Sequence, residues 1–247
     1  MKYALGVEYN GTAFCGWQIQ REGTRTVQLV VEQALAKILN QSVRVFCSGR
    51  TDSGVHAIEQ IIHFETTIDR DTKALVLGGN RFLPDDVNFI WAKKVSENFH
   101  ARFDAFARRY NYQIYNSKTR SALKYNLYLW EPRKLDINKM QIAANYLIGE
   151  YDFSSFRGIH CQAKTPIKTI ELIKITKDKN VITIDIKANA FLHHMVRNIT
   201  GTLLKIGYGD KNPEWMSEVL EKKDRKAAGM TAPACGLYFI KAFYKVL

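Results

Sequence analysis

Apolar and polar residues follow two periods in the N-terminal half of the chain. KYALGVEYN is strand-like, and TVQLVVEQALAKIL has the helical period, with one apolar face made of Val27, Val31, Ala34, Leu35 and Ile38. The strand-like runs VRVFCS and AIEQIIHFE come next, followed by a short helix near DTKALVLGGN and a strand in VNFIWAKKV. This order of elements, β-α-β-β-α-β, predicts a ferredoxin-like unit.

The second half repeats this order with longer insertions. RRYNYQIYN predicts a strand, INKMQIAANYLIG a helix, and IKTIELIKIT and VITIDIKA a pair of strands joined by a hairpin turn at KDKN. HHMVRNITGTLLKI then predicts a helix that ends at Gly207, and GLYFIKAFYKV a final strand. We therefore predict an α+β protein of two ferredoxin-like (RRM-like) halves, residues 1–105 and 106–247. Their strands are expected to form one continuous, mostly antiparallel central sheet flanked by helices, since each half leaves an open sheet edge.

The balance of charge gives the first information about function. The 247 residues include 36 Lys and Arg against 24 Asp and Glu, a formal net charge of +12. This excess favours a polyanionic partner, because binding releases the counterions that phosphates hold. A basic protein without such a partner is the alternative. Hydrophobic residues make up 46% of the chain, which excludes a disordered protein.

The cysteines and the hydropathy pattern indicate the compartment. Four cysteines are widely spaced and form no CxxC pair, so neither a disulfide framework nor a thiolate zinc site is indicated. The chain has no apolar run near the roughly 18 residues that a membrane span needs. MKYALGVEYN starts directly as a strand, without a signal-peptide pattern. We expect a cytoplasmic protein.

GRTDSGVHA, residues 49–57, places three ionisable side chains in the connection between two predicted strands. Gly49 and Gly54 permit unusual backbone angles, and such a loop can lift the carboxylate of Asp52 clear of the sheet. Arg50 lies two residues away, where its charge would keep a carboxylate ionised, as a nucleophile or base requires. Asp-Ser-Gly is also common in turns, so an Asx-turn without further function is the alternative for Asp52.

The predicted helix in ANAFLHHMVRNITGTLL carries Arg197 and, one turn later, Gly201. A glycine at that place leaves the flank of the arginine open to another backbone segment or to a carboxylate, although it can equally serve tight helix packing. His193 and His194 are adjacent on this helix, so their side chains would diverge by about 100° and would not share an ion. We therefore predict no metal site and assign both to the core or the surface.

HARFDAFARRYNYQIYN, residues 100–116, interleaves basic and aromatic side chains. This mixture is typical of surfaces that hold phosphates and stack on unpaired bases, and its members are Arg102, Phe103, Phe106, Arg108, Arg109, Tyr110 and Tyr112. Tyr112 and Ile114 share a strand face and are assigned to the core, whereas Tyr110, at the start of the strand, is placed to reach a pocket. The basic cluster KKDRK at 222–226 is interpreted as a solvated helix end.

Three motifs together resemble one known family. GRTDSGVHA, RFDAFARRYNY and FLHHMVRNITGTL, in this order, are similar to the signature of the tRNA pseudouridine synthase A family. The opening EYNGTAFCGWQIQ and the closing TAPACGLYFIKAFY agree with that family too, so the resemblance runs from residue 8 to about residue 244. It implies a homodimeric isomerase that converts uridine to pseudouridine in the anticodon stem-loop of tRNA, at tRNA positions 38 to 40, without metal or organic cofactor.

The resemblance also implies roles for four residues. Asp52 matches the catalytic aspartate, and Arg197 matches the basic residue that pairs with it. Tyr110 matches the tyrosine that stacks on the target base, and Arg50 matches the arginine that holds the place of the flipped nucleotide.

The sequence departs from the family pattern at two positions. Ser53 stands where alanine is usual, and Asn10 stands where aspartate is usual. Both put only local turn geometry in doubt. His56, in the first motif, has no expected role beyond packing or a loop hydrogen bond.

The implied reaction suits these residues. It breaks the bond from C1′ to N1, turns the uracil and joins C1′ to C5, and a carboxylate can either attack C1′ or take a proton from the sugar. The target base must first leave its stack, and Tyr110 would supply the aromatic platform that receives it. Arg197 would keep Asp52 charged in a dry pocket.

Two other functions remain open from the sequence. A non-catalytic RNA-binding module would fit the charge and the likeness of ferredoxin-like sheets to RNA-recognition domains, although a carboxylate facing phosphates has no use there. A glycosidase would need a second acidic group roughly 5 to 9.5 Å from the first, and no loop near GRTD clearly offers one.

Overall fold

The structure, a computed structural model, describes residues 1–246. Within these residues it has ten β-strands, namely β1 (Lys2–Tyr9), β2 (Phe46–Cys47), β3 (His56–Glu65), β4 (Val87–Val95), β5 (Ala107–Asn116), β6 (Leu129–Glu131), β7 (Gly149–Asp152), β8 (Ile167–Asp178), β9 (Val181–Ala188) and β10 (Leu237–Phe243). The α-helices of the same residues are α1 (Val27–Leu39), α2 (Thr72–Asn80), α3 (Ile137–Asn145), α4 (Met195–Gly207) and α5 (Trp215–Lys222). The predicted α+β class is confirmed.

The chain divides into two compact units. The first contains Met1–Phe106 and the end of the chain from Tyr238, and the second contains Ala107–Leu237. Within each unit most strand pairs are antiparallel, as the sequence predicts. No helix in the described part of the chain is long and apolar enough to cross a membrane.

In the first unit β1 lies between β3 and β4 and is antiparallel to both. The other edge of β3 is shared by two strands, since Phe46 of β2 pairs with His63 and Tyr238 of β10 pairs in parallel with His56. Every residue of β1 except Glu8 is buried. A polar residue thus faces solvent only near the end of β1, and the strand forms the centre of this sheet.

The strand β2 is shorter than VRVFCS predicts, because it contains only Phe46 and Cys47. The backbone N–H of Val45 donates instead to the carboxylate of Glu32 in α1, at 3.0 Å. The Val45 N–H thus has a helix side chain as its partner, which no local pattern could predict.

In the second unit the strand order is β5-β9-β8-β7, and each neighbouring pair is antiparallel. β6 pairs in parallel with the end of β5. All residues of α4 are buried except Arg197 and Lys205, and the helix ends at Gly207 as predicted. The strands β6 and β7 have no predicted counterpart, because three and four residues are too few for a clear period. For α5 the sequence predicts only a helix end at KKDRK, and the helix does end at Lys222.

His63 of β3 is a buried histidine that is held neutral. Its Nδ1 accepts the backbone N–H of Ala101 at 3.1 Å. Burial lowers the pKa of His63 to about 4, with the charge of His100 acting in the same direction.

This pKa predicts a loss of stability at acidic pH. His63 of the unfolded chain binds a proton with the ordinary histidine pKa of 6.5, whereas His63 of the folded chain does so with a pKa of about 4. Stability therefore falls as the pH is lowered through that interval. His63→Asn keeps an acceptor for Ala101 but does not titrate. Between about pH 7 and about pH 4.5, the unfolding free energy of the unmodified protein should fall by about 2 kcal/mol more than that of the variant. Chemical denaturation at both pH values measures this, and equal losses would contradict it.

Candidate active site

Asp52 lies on the loop between β2 and β3, where the chain turns sharply. The N–H of Val55 donates to the backbone carbonyl of Asp52 at 3.2 Å, and Gly54 has a φ of 77°. Gly54 therefore has the predicted unusual backbone conformation, but the same prediction for Gly49 is wrong, since Gly49 is not among the residues with positive φ. Gly49 is fixed by Gln60, whose side-chain amide donates to the Gly49 carbonyl at 2.6 Å.

Thr51, the residue before Asp52, is anchored in the core. Its Oγ1 is hydrogen-bonded to the hydroxyl of Tyr9 at 2.8 Å, and its carbonyl accepts the N–H of Trp17 at 3.0 Å. Burial raises the pKa of Tyr9 well above its usual value, so this hydroxyl stays neutral. The loop is thus attached to β1 immediately beside the candidate catalytic side chain.

A second chain segment lies directly against the Asp52 loop. Gly16 has a φ of 88°, and a Cβ built there would lie 2.8 Å from the carbonyl oxygen of Thr51. The Oγ of Ser53 donates to the carbonyl of Phe14 at 3.2 Å. Asp52 itself is half-buried between these fixed neighbours. GTAFCGW contributes to the family resemblance, but no signal in the sequence indicates this supporting role.

His56, Asn10 and Arg50 complete the description of the loop. The N–H of Gly11 donates to Nδ1 of His56 at 3.1 Å, and the His56 ring stacks on Tyr238 with centroids 4.6 Å apart. The side chain of Asn10 accepts the N–H of Thr12 and so caps a local turn. Arg50 is exposed.

Tyr110 lies in β5, opposite Ile186 of β9. Its ring meets Phe191 edge-on, with centroids 4.9 Å apart and planes at 81°. Tyr110 is 9% exposed, whereas Tyr112 and Ile114 on the same face are fully buried, as predicted for core residues. Tyr110 is therefore the most accessible of the three.

The neighbouring arginines of β5 are engaged with β9 and the residue that follows it. Arg109 forms a two-pronged ion pair with Asp185, in which its Nε donates at 2.7 Å. Arg108 donates to the carbonyl of Asn189 at 3.2 Å. The prediction that both bind phosphate is therefore weakened for Arg109, because its guanidinium already has a carboxylate partner.

Arg197 is held by residues 229–232, here called the return loop. Its Nε donates to the carbonyl of Ala232 at 2.8 Å, and the N–H of Ala232 donates back to the Arg197 carbonyl at 3.1 Å. Gly201, one turn later in α4, permits this arrangement, since a Cβ there would lie 1.6 Å from the carbonyl oxygen of Met230. Of the alternatives weighed for Gly201, the structure shows the close approach of another backbone segment.

Arg225 fastens this return loop to α4. Its guanidinium donates to the carbonyl of Gly229 at 2.9 Å, to Oδ1 of Asn198 at 3.0 Å and to Oγ1 of Thr231 at 3.0 Å. Burial lowers the pKa of Arg225. The interpretation of KKDRK as a solvated helix end is wrong for this residue, because its side chain turns inward to polar partners that include Asn198 of α4.

His193 and His194 do not lie on the helix, contrary to prediction. α4 begins at Met195, and His194 has a φ of 61°. The two rings are stacked with centroids 3.8 Å apart. The expected divergence of their side chains therefore fails, because a left-handed residue separates His193 from the helix.

Comparison with known proteins identifies the family. A family model described as tRNA pseudouridine synthase matches residues 6–104 and 143–245, which include Asp52 and Arg197 but not Tyr110. The chain belongs to this family. It is 52% identical over 241 residues to the tRNA pseudouridine synthase A of Hydrogenovibrio crunogenus, covering 98% of this chain and 92% of the relative. It is 48% identical over 246 residues to the tRNA pseudouridine synthase A of Alcanivorax borkumensis, covering 100% and 92%.

Similarity to a solved structure is much weaker. The match to the crystal structure of a Cbf5-Nop10-Gar1 complex has a TM-score of 0.39 and 12% sequence identity. It covers 97% of this chain but only 50% of the other. A likeness at this level supports no conclusion about function.

Gly201→Ala tests the close contact beside Arg197. Helix propensity alone predicts a gain of about 1 kcal/mol for this change, but the new methyl group would overlap the Met230 carbonyl. We expect the unfolding free energy to fall by about 3 kcal/mol. Denaturant titration measures this, with Lys205→Ala in the same helix as the control, expected to change it by less than about 1 kcal/mol. A stabilised Gly201→Ala protein would contradict the contact.

Proposed function

We propose that this chain isomerises uridine to pseudouridine in the anticodon stem-loop of tRNA, at tRNA positions 38 to 40. Family membership carries the proposal, since two relatives about half identical over nearly the whole chain are named tRNA pseudouridine synthase A. The net charge of +12 is consistent with a polyanionic substrate. The stem-loop location comes from the resemblance of the sequence motifs.

Asp52 is the proposed catalytic residue. In the reaction the bond from C1′ to N1 of uracil breaks, C1′ bonds to C5, C5 loses its hydrogen and N1 gains a proton, so substrate and product have the same composition. The carboxylate of Asp52 either attacks C1′ or takes a proton from the sugar. The hydrogen bonds of Thr51 and Ser53 support this role, because they fix the backbone on both sides of the carboxylate.

Three further residues complete the proposed site. Arg197 pairs with Asp52, and the bond from its Nε to Ala232 supports this by fixing the direction of the guanidinium. Tyr110 stacks on the target base, which is consistent with its greater exposure than Tyr112. Arg50, exposed on the same loop as Asp52, holds the place of the flipped nucleotide. The proposed chemistry needs no metal or organic cofactor.

The proposed architecture places these residues in two related halves. Residues 1–105 form a ferredoxin-like half with Asp52, and residues 106–247 form a second one with Tyr110 and Arg197, joined by a continuous sheet. Within the first unit, the element order β1-α1-β2-β3-α2-β4 supports this. We further infer a homodimer that acts in the cytoplasm, where its tRNA substrate is found.

Asp52→Asn tests the catalytic role directly. Because C5 loses its hydrogen in the reaction, tRNA labelled with tritium at uridine C5 releases the label as pseudouridine forms. We expect the release rate to fall at least about a hundredfold while tRNA affinity stays within about twofold, since asparagine keeps the shape but neither attacks nor accepts a proton. Asp85→Asn, an exposed aspartate of the same unit, is the control and should retain full activity.

Three results would overturn parts of this proposal. Unchanged tritium release by Asp52→Asn would exclude Asp52 as the catalytic residue. Absence of pseudouridine after multiple turnovers of the unmodified protein would leave an RNA-binding module. Free uracil among the products would indicate a glycosidase.

The inferred dimer predicts a particle of twice the chain mass of 28.4 kDa. Sedimentation equilibrium at micromolar concentration measures this mass. A particle of the single-chain mass would contradict the dimer, without affecting the proposed chemistry of Asp52.

A further inference from the structure

Four rings of the first unit form a connected cluster, here called the aromatic ladder: Phe46, His63, His100 and Phe103, in which Phe46 also lies 5.8 Å from His100. Successive ring centroids are 5.1, 4.6 and 4.3 Å apart, which is within the range of stacking and edge contacts. The ladder joins β2 and β3 to the turn at residues 100–104.

The two ends of the ladder face solvent. Phe103 is 74% exposed and Phe46 is 48% exposed, whereas His63 between them is 3% exposed. The buried His63 ring thus lies beneath the two exposed phenylalanine rings. Phenylalanine rings held in water on a fixed support are more typical of a binding surface than of a folding core.

The turn that carries Phe103 is rigid. The N–H groups of Arg102 and Phe103 both donate to Nδ1 of His100, at 3.1 and 3.3 Å. The N–H of His100 donates to the carboxylate of Asp104 at 2.8 Å, and the N–H of Asp104 donates to the His100 carbonyl at 3.1 Å. A ligand that stacks on Phe103 would therefore lose little affinity to ordering of the turn.

The two histidines of the ladder are uncharged at neutral pH. In both rings Nδ1 accepts backbone N–H groups, which requires an unprotonated nitrogen. Burial lowers the pKa of His63 to about 4 and also lowers the pKa of His100. The ladder is therefore a neutral aromatic surface, and its positive charge comes from neighbouring arginines.

Arginines lie beside the ladder. The guanidinium of Arg102 is 5.7 Å from the Phe103 ring centroid. β2, which carries Phe46, leads directly into the loop that carries Asp52, and Arg50 lies exposed on that loop. The ladder thus adjoins the loop that carries Asp52, and an exposed ring with arginines nearby has the chemistry that single-stranded nucleic acid requires.

We propose that Phe103 binds an unpaired base of the RNA substrate by stacking, with Arg102 contacting the adjacent phosphate. This site is separate from the target base and rests on the proposed function. The arginines favour RNA over a second copy of this chain, because a copy with net charge +12 would be repelled here.

Phe103→Ala tests the stacking, and the exposure of the ring makes loss of folding a minor concern. We expect tRNA to bind at least about fivefold more weakly, with kcat within about twofold and the salt dependence of binding unchanged, since no charge is lost. Phe103→Trp should restore affinity. Binding is measured in the Asp52→Asn background, so that no turnover interferes.

Two variants serve as matched comparisons. Phe82 is also an exposed aromatic of the first unit, 47% exposed with the ammonium of Lys37 5.5 Å from its ring centroid, and Phe82→Ala should bind tRNA normally. Arg102→Gln should weaken binding. It should also lower the slope of log affinity against log salt concentration by about one, because one phosphate contact is lost.

The outcomes separate this inference from the proposed function. If Phe103→Ala binds tRNA as tightly as the unmodified protein, the stacking site is refuted while the isomerase activity stands. If the unmodified protein forms no pseudouridine but Phe103→Ala still weakens RNA binding, the activity fails and the site stands. A change in sedimenting mass on Phe103→Ala without a loss of tRNA affinity would assign the ladder to contact between copies of the chain and refute the RNA site.

Discussion

The loop that carries Asp52 rests on backbone packed directly against backbone, and this contact depends on Gly16. Gly16 has a positive φ, and a Cβ at this position would lie only 2.8 Å from the carbonyl oxygen of Thr51. Any other residue would therefore push the two segments apart. The hydrogen bond from Ser53 to Phe14 exists only while the segments touch. This contact therefore helps to fix the backbone that carries the Asp52 carboxylate.

In the second unit, a glycine-dependent backbone contact also lies beside Arg197. Gly201 lets the return loop reach α4, and Ala232 then exchanges two hydrogen bonds with Arg197. Arg225 closes the loop with three donors to groups that would otherwise need water. In each unit a side chain of proposed function lies beside a glycine contact and a set of satisfied polar groups, which is how a site keeps its geometry before substrate arrives.

Tyrosine hydroxyls of β1 and β5 also fix loops of the two units. Tyr9 of β1 is hydrogen-bonded to Thr51, and Tyr112 of β5 donates to the Pro233 carbonyl at 2.7 Å. Burial raises the pKa of both tyrosines, so both stay neutral. Each hydroxyl connects a strand to a loop, so packing of the strand also fixes the loop. Removing either partner would leave a buried polar atom without a hydrogen bond.

The sequence by itself determined the α+β class, the limits of β4 and β9, the end of α4 at Gly207 and the motif around Asp52. These depend on periodicity and on neighbours in the chain, which a linear pattern records. Only the tertiary structure decided that β2 begins as late as Phe46, after Val45 donates its N–H to Glu32, and that Arg225 alone in KKDRK turns inward to Asn198. Those outcomes depend on partners distant in sequence, and equal charges side by side carry no sign of which one will be buried.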